Sequence, residues 1–418
     1  MVEAIELSQD SSPSTALLIV VPNNLKVGGG QEQDILQLAR QLALGPFRVH
    51  VADSDCFLRE ERRLTDEAIS TRLGPVPRTT IHSIPVLRRL TSIPTLRGAR
   101  QLRDLMVASD LVLTCPFYLE DSAIALLTRL AHRPLYASQN NAFIHRVRGD
   151  PRQALQDLWN RLIGVRLLRS VAGVRTLSVD EQGTLGSFGI SRTVVVYPTP
   201  ARGVAEGPSP TIRSTSGPRG SEGALTTPEL RVLVAGRMTA QKGVATLAEI
   251  LRLVRDRKDS FGRFRFLLAG TKHLPHKIGR FVQEMPDRVE NLGFVPEGLS
   301  NVFQQVDVLL MPSFYESLGM TAIDAIRQGV PVVASDVSGL REVVRPGETG
   351  WLAPPGHPAE FVRALDVSLE LKTTNPAGWE ELRSRCRDSY VRRFGPGVWE
   401  AQYARLVESL RNAARASS

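Results

Sequence analysis

The sequence predicts an α/β protein made of two doubly wound domains, and three observations lead to this prediction. A buried-strand pattern, a glycine turn, an amphipathic helix and a second strand open the chain between Ala16 and Asp53. The same alternation restarts at Arg231 and continues to Ser335. Between the two halves, residues 201–229 are rich in Gly, Pro, Ser and Thr without apolar periodicity, which is typical of a flexible linker.

Each half alternates strand-like and helical segments. In the first half, short apolar runs predict strands at 16–23, 47–53, 110–116, 134–138 and 193–200, and helices at 31–44 and 121–131. In the second half, strands are predicted at 231–235, 264–270, 289–295, 307–313 and 331–335, and helices at 244–257, 320–329 and 398–416. We therefore expect domains at 1–200 and 230–385, the linker at 201–229 and a C-terminal helical segment at 386–418. Parallel sheets of this kind bind ligands at the carboxyl ends of their strands.

The composition favours an ordinary folded protein. Of the 418 residues, 42 % are hydrophobic and 23 % are charged, and no apolar run approaches the roughly 18–20 residues of a membrane-spanning helix. The acidic, polar N-terminus does not form a secretory signal. The three cysteines are far apart, which favours neither a disulfide framework nor a paired metal motif. We therefore expect a cytoplasmic protein without a structural metal.

The net charge of +9 is unevenly distributed. No Asp or Glu lies between Glu67 and Asp104, where seven arginines fall, and a second arginine-rich stretch runs from His145 to Arg175. Such stretches attract phosphates or anionic lipid, or are simply solvated surface, and both interpretations stay open. Because no zinc-finger, RNP-like or KH-type pattern occurs, we expect no nucleic-acid partner.

Three clusters of residues with chemical potential follow predicted strands in the second half. The first contains Gly236, Arg237, Lys242 and Gly243, in which two cations precede a helix start. Such a loop suits a diphosphate, although an Arg and a Lys beside a tight turn can also be plain surface. The third cluster, Ser335–Gly356, contributes turn glycines and no reactive group.

The second cluster lies between a strand end and the helix that follows it. Glu316 precedes this helix and Asp324 lies on it, eight residues later. Backbone N–H groups of Ser317–Met320 would lie at the helix N-terminus, where they favour an anion. The carboxylates can accept hydrogen bonds from sugar or ribose hydroxyls, and taken alone they could equally be a helix-capping and a surface residue.

In this order and spacing, the clusters resemble the donor-binding half of retaining glycosyltransferases with the GT-B fold, most closely glycosyltransferase family four, the glycosyl transferases group 1 type. The family patterns GR-x(4)-KG, E-[GS]-[FL]-G-x(4)-E and G-x-x-E-x(4)-G-x-x-G correspond to 236–243, 316–324 and 339–350. The family's GGxE corresponds to 29–32. The resemblance is firm from about Arg231 to Leu365 and patchy before Thr199. It implies a GT-B architecture of two Rossmann-like domains facing across a cleft, with the final helix crossing back to the first domain.

The resemblance also implies a reaction. A sugar would move, with retention and without a metal or cofactor, from a UDP- or GDP-linked donor to a hydroxyl of a glycan, glycolipid or lipid-linked sugar. Arg237 and Lys242 would hold the diphosphate and stabilise the leaving charge, and Glu316 would contact the donor sugar, which makes these three the expected catalytic residues. Asp324 would face the ribose. The other expected donor-binding positions are Gly29, Gly30, Gly236, Ser317, Leu318, Gly319 and Met320.

Three positions depart from the family pattern. Asp324 stands where the family has Glu. Gln139 and the two asparagines after it stand where many members have a His that touches the donor sugar, and His145 lies nearby as a substitute. The usual PNG after the last N-terminal strand is replaced by YPTPARG. The alternative hypothesis is therefore a catalytically silent homologue that binds sugar nucleotide or a partner protein as a scaffold; the GR-x(4)-KG and ESLG patterns disfavour a sugar-nucleotide epimerase.

Two weaker signals remain. The triplet Asp53-Ser54-Asp55 has the form of a DxD metal motif, but Asp and Ser are also common in turns. Trp159, Leu162 and Ile163 alternate with arginines, which predicts either a basic helix lying on an anionic membrane surface or a core-facing helix with arginines on its wet side. On the first interpretation the protein would be peripheral on the inner face of the cell membrane.

Overall fold

The computed structural model describes residues 15–21, 30–54, 78–86, 94–114, 121–139, 157–198, 229–257, 261–270, 274–295 and 299–416. The chain divides into two compact units, Met1–Thr199 with Trp399–Ser418, and Pro200–Val398. Each unit contains one parallel sheet flanked by helices, which confirms the predicted α/β class with two Rossmann-like domains. Apart from Glu229, the predicted linker lies outside the described residues, as do Gly29, Asp55 and His145.

Within its described residues, the first unit forms a sheet of seven parallel strands in the order β3-β2-β1-β4-β5-β6-β7. The strands are β1 (Thr15–Val21), β2 (Phe47–Ser54), β3 (Thr79–Ile84), β4 (Leu111–Thr114), β5 (Leu135–Gln139), β6 (Gly173–Thr176) and β7 (Thr193–Val195). The helices are α1 (Gly30–Leu44), α2 (Leu96–Val107), α3 (Asp121–Leu130), α4 (Val165–Ser170), which a π-helix (Asn160–Gly164) precedes, and α5 (Val179–Ser187).

The central strands of this sheet are apolar on both faces because both faces are covered. Every residue of β4 is buried, and Ile19 of β1 pairs with Val51 on one side and Leu113 on the other. One face packs against α1 and against a C-terminal helix, α13 (Pro396–Arg415), which belongs to this unit from Trp399 onward. The opposite face packs against α2, α3 and the helical residues 157–170.

Four elements of the first unit were not predicted, namely strands β3 and β6 and helices α2 and α5. Strand β3 and most of α2 lie in the arginine-rich stretch before Asp104. Strand β3 is the edge strand and is half exposed, so its sequence TTIHSI lacks the apolar run that revealed the other strands. In α2, the buried residues Gly98, Leu102 and Met106 follow helical spacing. The arginines of this stretch had indicated only its charge, so the helix was not predicted.

Within its described residues, the second unit forms a sheet of six parallel strands in the order β10-β9-β8-β11-β12-β13. The strands are β8 (Leu230–Ala235), β9 (Phe264–Ala269), β10 (Val289–Gly293), β11 (Val308–Met311), β12 (Val332–Ser335) and β13 (Gly350–Ala353). The helices are α6 (Val244–Asp256), α7 (His276–Glu284), α8 (Ser300–Phe303), α9 (Met320–Arg327), α10 (Ser338–Val343), α11 (Pro358–Thr374) and α12 (Pro376–Phe394); a 3-10 turn (Phe261–Arg263) precedes β9.

Two differences from the sequence-based picture concern the second unit. The third glycine cluster is not merely loops, because α10 and the edge strand β13 form inside it. The segment 386–418 begins inside α12, where Cys386, Tyr390 and Phe394 are buried and the helix packs against α9 and α11. The chain passes from the second unit to the first only between Val398 and Trp399, near the start of α13.

Among the described residues, no helix has the length and apolar character needed to cross a membrane.

Candidate functional site

The candidate site lies at the carboxyl edge of the second sheet, where the strand order reverses. Strands β8 and β11 are neighbours in this sheet, although β9 and β10 lie between them in sequence. Their following loops therefore leave the sheet side by side, at the kind of switch point where open α/β sheets bind ligands. These two loops, 236–243 and 312–319, carry the first two clusters singled out in the sequence.

The loop after β8 is held in place by its neighbour. The N–H of Phe314 donates to the carbonyl of Gln241 at 2.8 Å, which joins the two loops. Gly243 caps α6 with a positive φ of 73°, and a Cβ at this position would lie 1.9 Å from the carbonyl oxygen of Pro312. Only glycine fits here, so the GR-x(4)-KG pattern has a structural reason at its last residue.

A short ion pair joins the two loops at their centre. The Lys242 ammonium donates to Oε1 of Glu316 at 2.5 Å, and the Ser313 hydroxyl donates to the same oxygen at 2.9 Å. The Glu316 side chain is 9 % exposed and the Lys242 side chain 26 % exposed, so the pair is partly removed from water. In the described part of the chain, Oε2 of Glu316 has no protein donor. The Lys242 ammonium has three N–H donors and uses one of them for Glu316, which leaves two.

The backbone around Glu316 is held by α10. The N–H of Gly339 donates to the carbonyl of Glu316 at 3.2 Å. A Cβ on Gly339 would lie 2.4 Å from that same carbonyl oxygen, so any side chain would displace the loop. Gly319 then caps α9, and the side chain of Leu318 is buried while Ser317 and Met320 are partly exposed. The third cluster therefore acts by packing under the second.

Arg237 lies on the loop after β8, is exposed, and has no ion-pair partner within the described residues. Gly236 begins this loop, and its N–H donates to Ala269 at 2.9 Å. The structure thus brings Lys242 and Glu316 into direct contact and places Arg237 on the same loop as Lys242. Sequence reasoning missed Ser313, although it is the strand-end residue of the same cluster.

Asp324 is the fifth residue of α9, just over one turn beyond its N-terminus, and is partly exposed. Desolvation by the surrounding protein raises the pKa of Asp324 from 3.8 to about 6, and the positive charge of Arg327 opposes this rise. The carboxylate is thus ionised at neutral pH and takes up a proton as the pH falls through about 6.

This raised pKa predicts a pH-dependent effect of Asp324→Asn on stability. Because the folded-state pKa lies above the unfolded value, the wild type gains stability below about pH 4 that is lost as the pH rises through about 6. We expect Asp324→Asn to raise Tm at pH 7.5, with the difference shrinking towards pH 4. Thermal unfolding of both proteins from pH 4 to 8 checks this, with Asp388→Asn, at an exposed position of the same unit, as control. A Tm difference independent of pH would contradict it.

The first-unit positions are described only in part. Gly30 is the first residue of α1, and Gln139 ends β5 and is 3 % exposed. At the predicted DxD triplet, Asp53 and Ser54 are buried at the end of β2. In the portions of the chain that the structure describes, no three His, Cys, Asp or Glu side chains gather as metal ligands.

A buried ion pair beside these positions was not foreseen. The Arg175 guanidinium donates to both carboxylate oxygens of Asp34 at 2.8 Å, and both side chains are 1 % exposed. The pair joins α1 to β6. The sequence did contain a signal, because Asp34 falls four residues before Leu38 on the buried side of α1, where a charge needs a partner.

Comparisons with known proteins agree with this geometry. Residues 229–370 match the family model described as "Glycosyl transferases group 1". A D-inositol 3-phosphate glycosyltransferase of Paenarthrobacter aurescens is 30 % identical over 190 residues, which are 44 % of this chain and 44 % of the relative. A 2-deoxystreptamine glucosyltransferase of Streptomyces kanamyceticus is 31 % identical over 179 residues, 41 % of this chain and 44 % of the relative. The chain spans less than half the length of these curated relatives.

Solved structures match over nearly the whole chain. The sucrose-phosphate synthase of Thermosynechococcus elongatus has a TM-score of 0.69 at 20 % identity, covering 96 % of this chain and 100 % of that one. HepE of Anabaena, solved with UDP-glucose, has a TM-score of 0.67 at 16 % identity, covering 94 % of this chain and 100 % of that one. At identities this low, the likeness shows a common fold.

Proposed function

We propose that this chain, a GT-B protein whose residues 229–370 belong to the glycosyl transferases group 1 family, transfers a sugar from a nucleoside diphosphate sugar to a hydroxyl acceptor. The transfer proceeds with retention at the anomeric carbon and without a metal ion. The donor is UDP- or GDP-linked, and the complexes of HepE with UDP and UDP-glucose support the uridine form. The acceptor is a hydroxyl of a glycan, a glycolipid or a lipid-linked sugar.

The observation that carries this proposal is the Lys242–Glu316 pair at the switch point of the second sheet. Lys242 keeps two N–H donors for the donor diphosphate, and the unpaired Arg237 adds a second cation on the same loop. The Oε2 of Glu316 accepts a hydrogen bond from a sugar hydroxyl. Both residues lie close to helix N-termini, α6 after Lys242 and α9 after Glu316, whose dipoles also favour a bound anion.

These groups suffice for the chemistry without a protein nucleophile. The bond between the anomeric carbon and the diphosphate oxygen breaks, and the acceptor oxygen bonds to the same carbon. The acceptor proton goes to the departing phosphate. Arg237 and Lys242 stabilise the negative charge that develops on the diphosphate, which is the role that a metal ion has in other transferases.

A thermal-shift screen against UDP, GDP, ADP and their sugar conjugates tests the donor site. Ligands that bind the native state raise Tm by mass action, so one nucleotide series should raise it by a few degrees at millimolar concentration. EDTA in the screen should leave the shift unchanged, because the cations are protein side chains. Turnover with the matching sugar donor and ¹H NMR of the product anomer then test transfer with retention.

The screen also separates the alternative function. A shift without any turnover would favour a catalytically silent scaffold that binds sugar nucleotide. No shift with any nucleotide would contradict the donor site itself and leave a partner-protein scaffold.

For the acceptor side, we propose that the first unit docks on the anionic inner face of the cell membrane. Helical residues 157–170 support this, since Leu158, Leu162 and Ile163 are 53 %, 52 % and 46 % exposed and Arg161 and Arg166 lie among them. The helix differs from the sequence-based picture in one respect. Trp159 is 6 % exposed and packs in the core, so it belongs to the buried side, and Leu158 takes its place on the exposed side.

Vesicle binding should therefore weaken with salt and depend on Leu162. Raising NaCl from about 0.05 to 0.5 M shortens the screening length severalfold and should release most of the protein from phosphatidylglycerol vesicles. Leu162→Gln should weaken binding at low salt by about fivefold or more, because it removes the burial of one leucine side chain. Co-sedimentation measures both, with Val179→Gln, at another exposed apolar position of this unit, as control. Salt-insensitive binding, or no binding, would contradict the proposal that residues 157–170 dock on an anionic membrane.

A further inference from the structure

A cavity lies in the first unit, at the amino ends of its strands, the edge opposite to the one where open α/β sheets bind their nucleotides. It encloses about 1080 Å³. Its floor contains Leu135 at the start of β5, Val171 and Ala172 before β6, and Thr193 at the start of β7. One wall is α3, with Ser122, Ala125, Leu126 and Arg129, and the other is α13, with Arg405, Ser409 and Asn412. All of these residues belong to one compact unit.

The charge of the cavity is strongly positive. Arg129, Arg133, Arg192 and Arg405 line it, against the single carboxylate of Glu408. In the described part of the chain, Arg129, Arg192 and Arg405 have no ion-pair partner. Arg133 is fixed by a 2.7 Å hydrogen bond to the carbonyl of Val107, and its buried Nε has no acceptor. Uncompensated guanidinium groups around one cavity match an anion, and their planar N–H forks match phosphate best.

The rest of the lining is largely apolar, which argues against a bare inorganic ion as the occupant. Leu135, Val171, Val194 and Ala413 contribute apolar surface, and Leu126 is 59 % exposed at the rim. The volume is that of a site for a whole small molecule rather than for one phosphate. The apolar lining would therefore bury the hydrocarbon part of a ligand whose anionic group contacts the arginines.

We propose that this cavity binds an organic phosphate, held by Arg129, Arg192 and Arg405 through its phosphoryl group and by the apolar lining through its carbon body. The site is separate from the proposed donor site, because it belongs to the other unit. The same chemistry occurs in a phospholipid headgroup with its first acyl carbons and in a free phosphate ester, and the experiment distinguishes these two sources.

The test is isothermal titration calorimetry of the full chain with dihexanoyl phosphatidic acid, kept below its critical micelle concentration. We expect Kd to rise at least tenfold in Arg129→Gln/Arg192→Gln and to stay within about twofold of wild type in Arg97→Gln/Arg100→Gln. The control pair removes two exposed, unpaired arginines from α2, neither of which lines the cavity. Dihexanoyl phosphatidylcholine, with the same tails and no net charge, should bind at least tenfold more weakly.

Binding by Lys242→Ala separates this site from the proposed donor site. If Lys242→Ala still binds the phosphate probe like wild type, the probe does not occupy the donor site, and loss of binding in Arg129→Gln/Arg192→Gln then places it in the cavity. Loss of probe binding in Lys242→Ala but not in the arginine pair would overturn the proposal. Absence of binding by wild type, or equal binding by the arginine pair, would also overturn it. Unchanged Tm of each variant shows that the fold survives, and Arg405→Gln on α13 provides an independent second variant.

Vesicles of phosphatidylcholine with about one fifth phosphatidic acid identify the source. Vesicle binding that falls in Arg129→Gln/Arg192→Gln, and not in the α2 control pair, would support a lipid headgroup. Equal vesicle binding by all variants, with the short-chain probe still discriminating between them, would support a free phosphate ester.

Discussion

Lys242→Ala and Glu316→Ala should each reduce turnover by at least about a hundredfold, the usual cost of removing one electrostatic stabiliser of a transition state. Lys242→Ala removes a cation from the diphosphate position. Among the described residues, it leaves the buried Glu316 carboxylate with only the Ser313 hydroxyl as its donor. Glu316→Ala removes the acceptor for the sugar hydroxyl and frees the lysine. Release of the nucleoside diphosphate from the donor found in the thermal-shift screen measures both.

Matched variants separate lost chemistry from lost structure. Lys277→Ala and Glu370→Ala change exposed residues of the same unit that have no ion-pair partner among the described residues, and both should retain turnover. Glu316→Gln keeps the shape of the side chain and can still bond the Ser313 hydroxyl, so its Tm should stay near that of wild type while its turnover falls. Near-normal turnover in both alanine variants would contradict the assignment of this site.

The two variants should also affect binding differently. Lys242 contacts the diphosphate in the proposal, so Lys242→Ala should weaken binding of the free nucleotide as well as of the sugar donor. Glu316 contacts only the sugar, so Glu316→Ala should leave binding of the free nucleotide within a few fold of wild type. Because the pair is joined by a 2.5 Å bond, the double variant should cost less than the sum of the two single ones.

The fold class could be predicted from the sequence because both sheets are parallel and covered on both faces. Strands such as β4 and β12 are buried along their whole length, so they read as continuous apolar runs separated by amphipathic helices. The edge strand β3 is half exposed and polar, and the edge strand β13 has only four residues, one of them a glycine, so both lack that signal. The interior strand β6 is buried but short and contains Arg175, so it was not predicted either, whereas the edge strands β7 and β10 were. The position of a strand in the sheet therefore does not by itself decide whether the sequence reveals it.

The sequence predicted which residues belong to the candidate site but not which of them are in contact. Lys242 and Glu316 are 74 positions apart, and only the adjacency of β8 and β11 brings their loops together. Gly339 shows the same limit, because its role is to let α10 approach the carbonyl of Glu316. The sequence alone does not distinguish a glycine that permits close packing, such as Gly339, from a glycine that is needed in a turn.

The Arg175–Asp34 pair shows what the sequence concealed in the first unit. Asp34 occurs in an amphipathic helix, and Arg175 occurs in a short buried strand. Neither belongs to a family motif. A charged residue in the sequence does not reveal whether its side chain is buried, because burial depends on an oppositely charged partner that only the fold brings to it. The two residues are 141 positions apart, and the packing of α1 on the sheet brings them together.

Arg175→Met should destabilise the first unit by about 3–5 kcal/mol, because it leaves the Asp34 carboxylate buried without a counter-charge. This is a large share of the roughly 5–15 kcal/mol that stabilises a typical domain. Asp34 is 1 % exposed and receives both guanidinium hydrogen bonds at 2.8 Å, so water cannot replace the lost partner. Removing both charges, in Arg175→Met/Asp34→Leu, should restore most of the loss, since a buried pair is often no better than well-packed apolar side chains.

Urea unfolding of the first unit alone can measure this. Of the four tryptophans, Trp351 and Trp379 belong to the second unit, and their replacement by Phe leaves Trp159 and Trp399, both buried in the first unit's core, as fluorescent reporters. In this background, the exposed Arg161→Met is the control and should shift the free energy of unfolding by less than about 0.5 kcal/mol. A single variant at Arg175 no more costly than this control would contradict the prediction. A double variant as unstable as the single one would mean instead that the ion pair itself, and not merely the absence of an unpaired charge, holds α1 to β6.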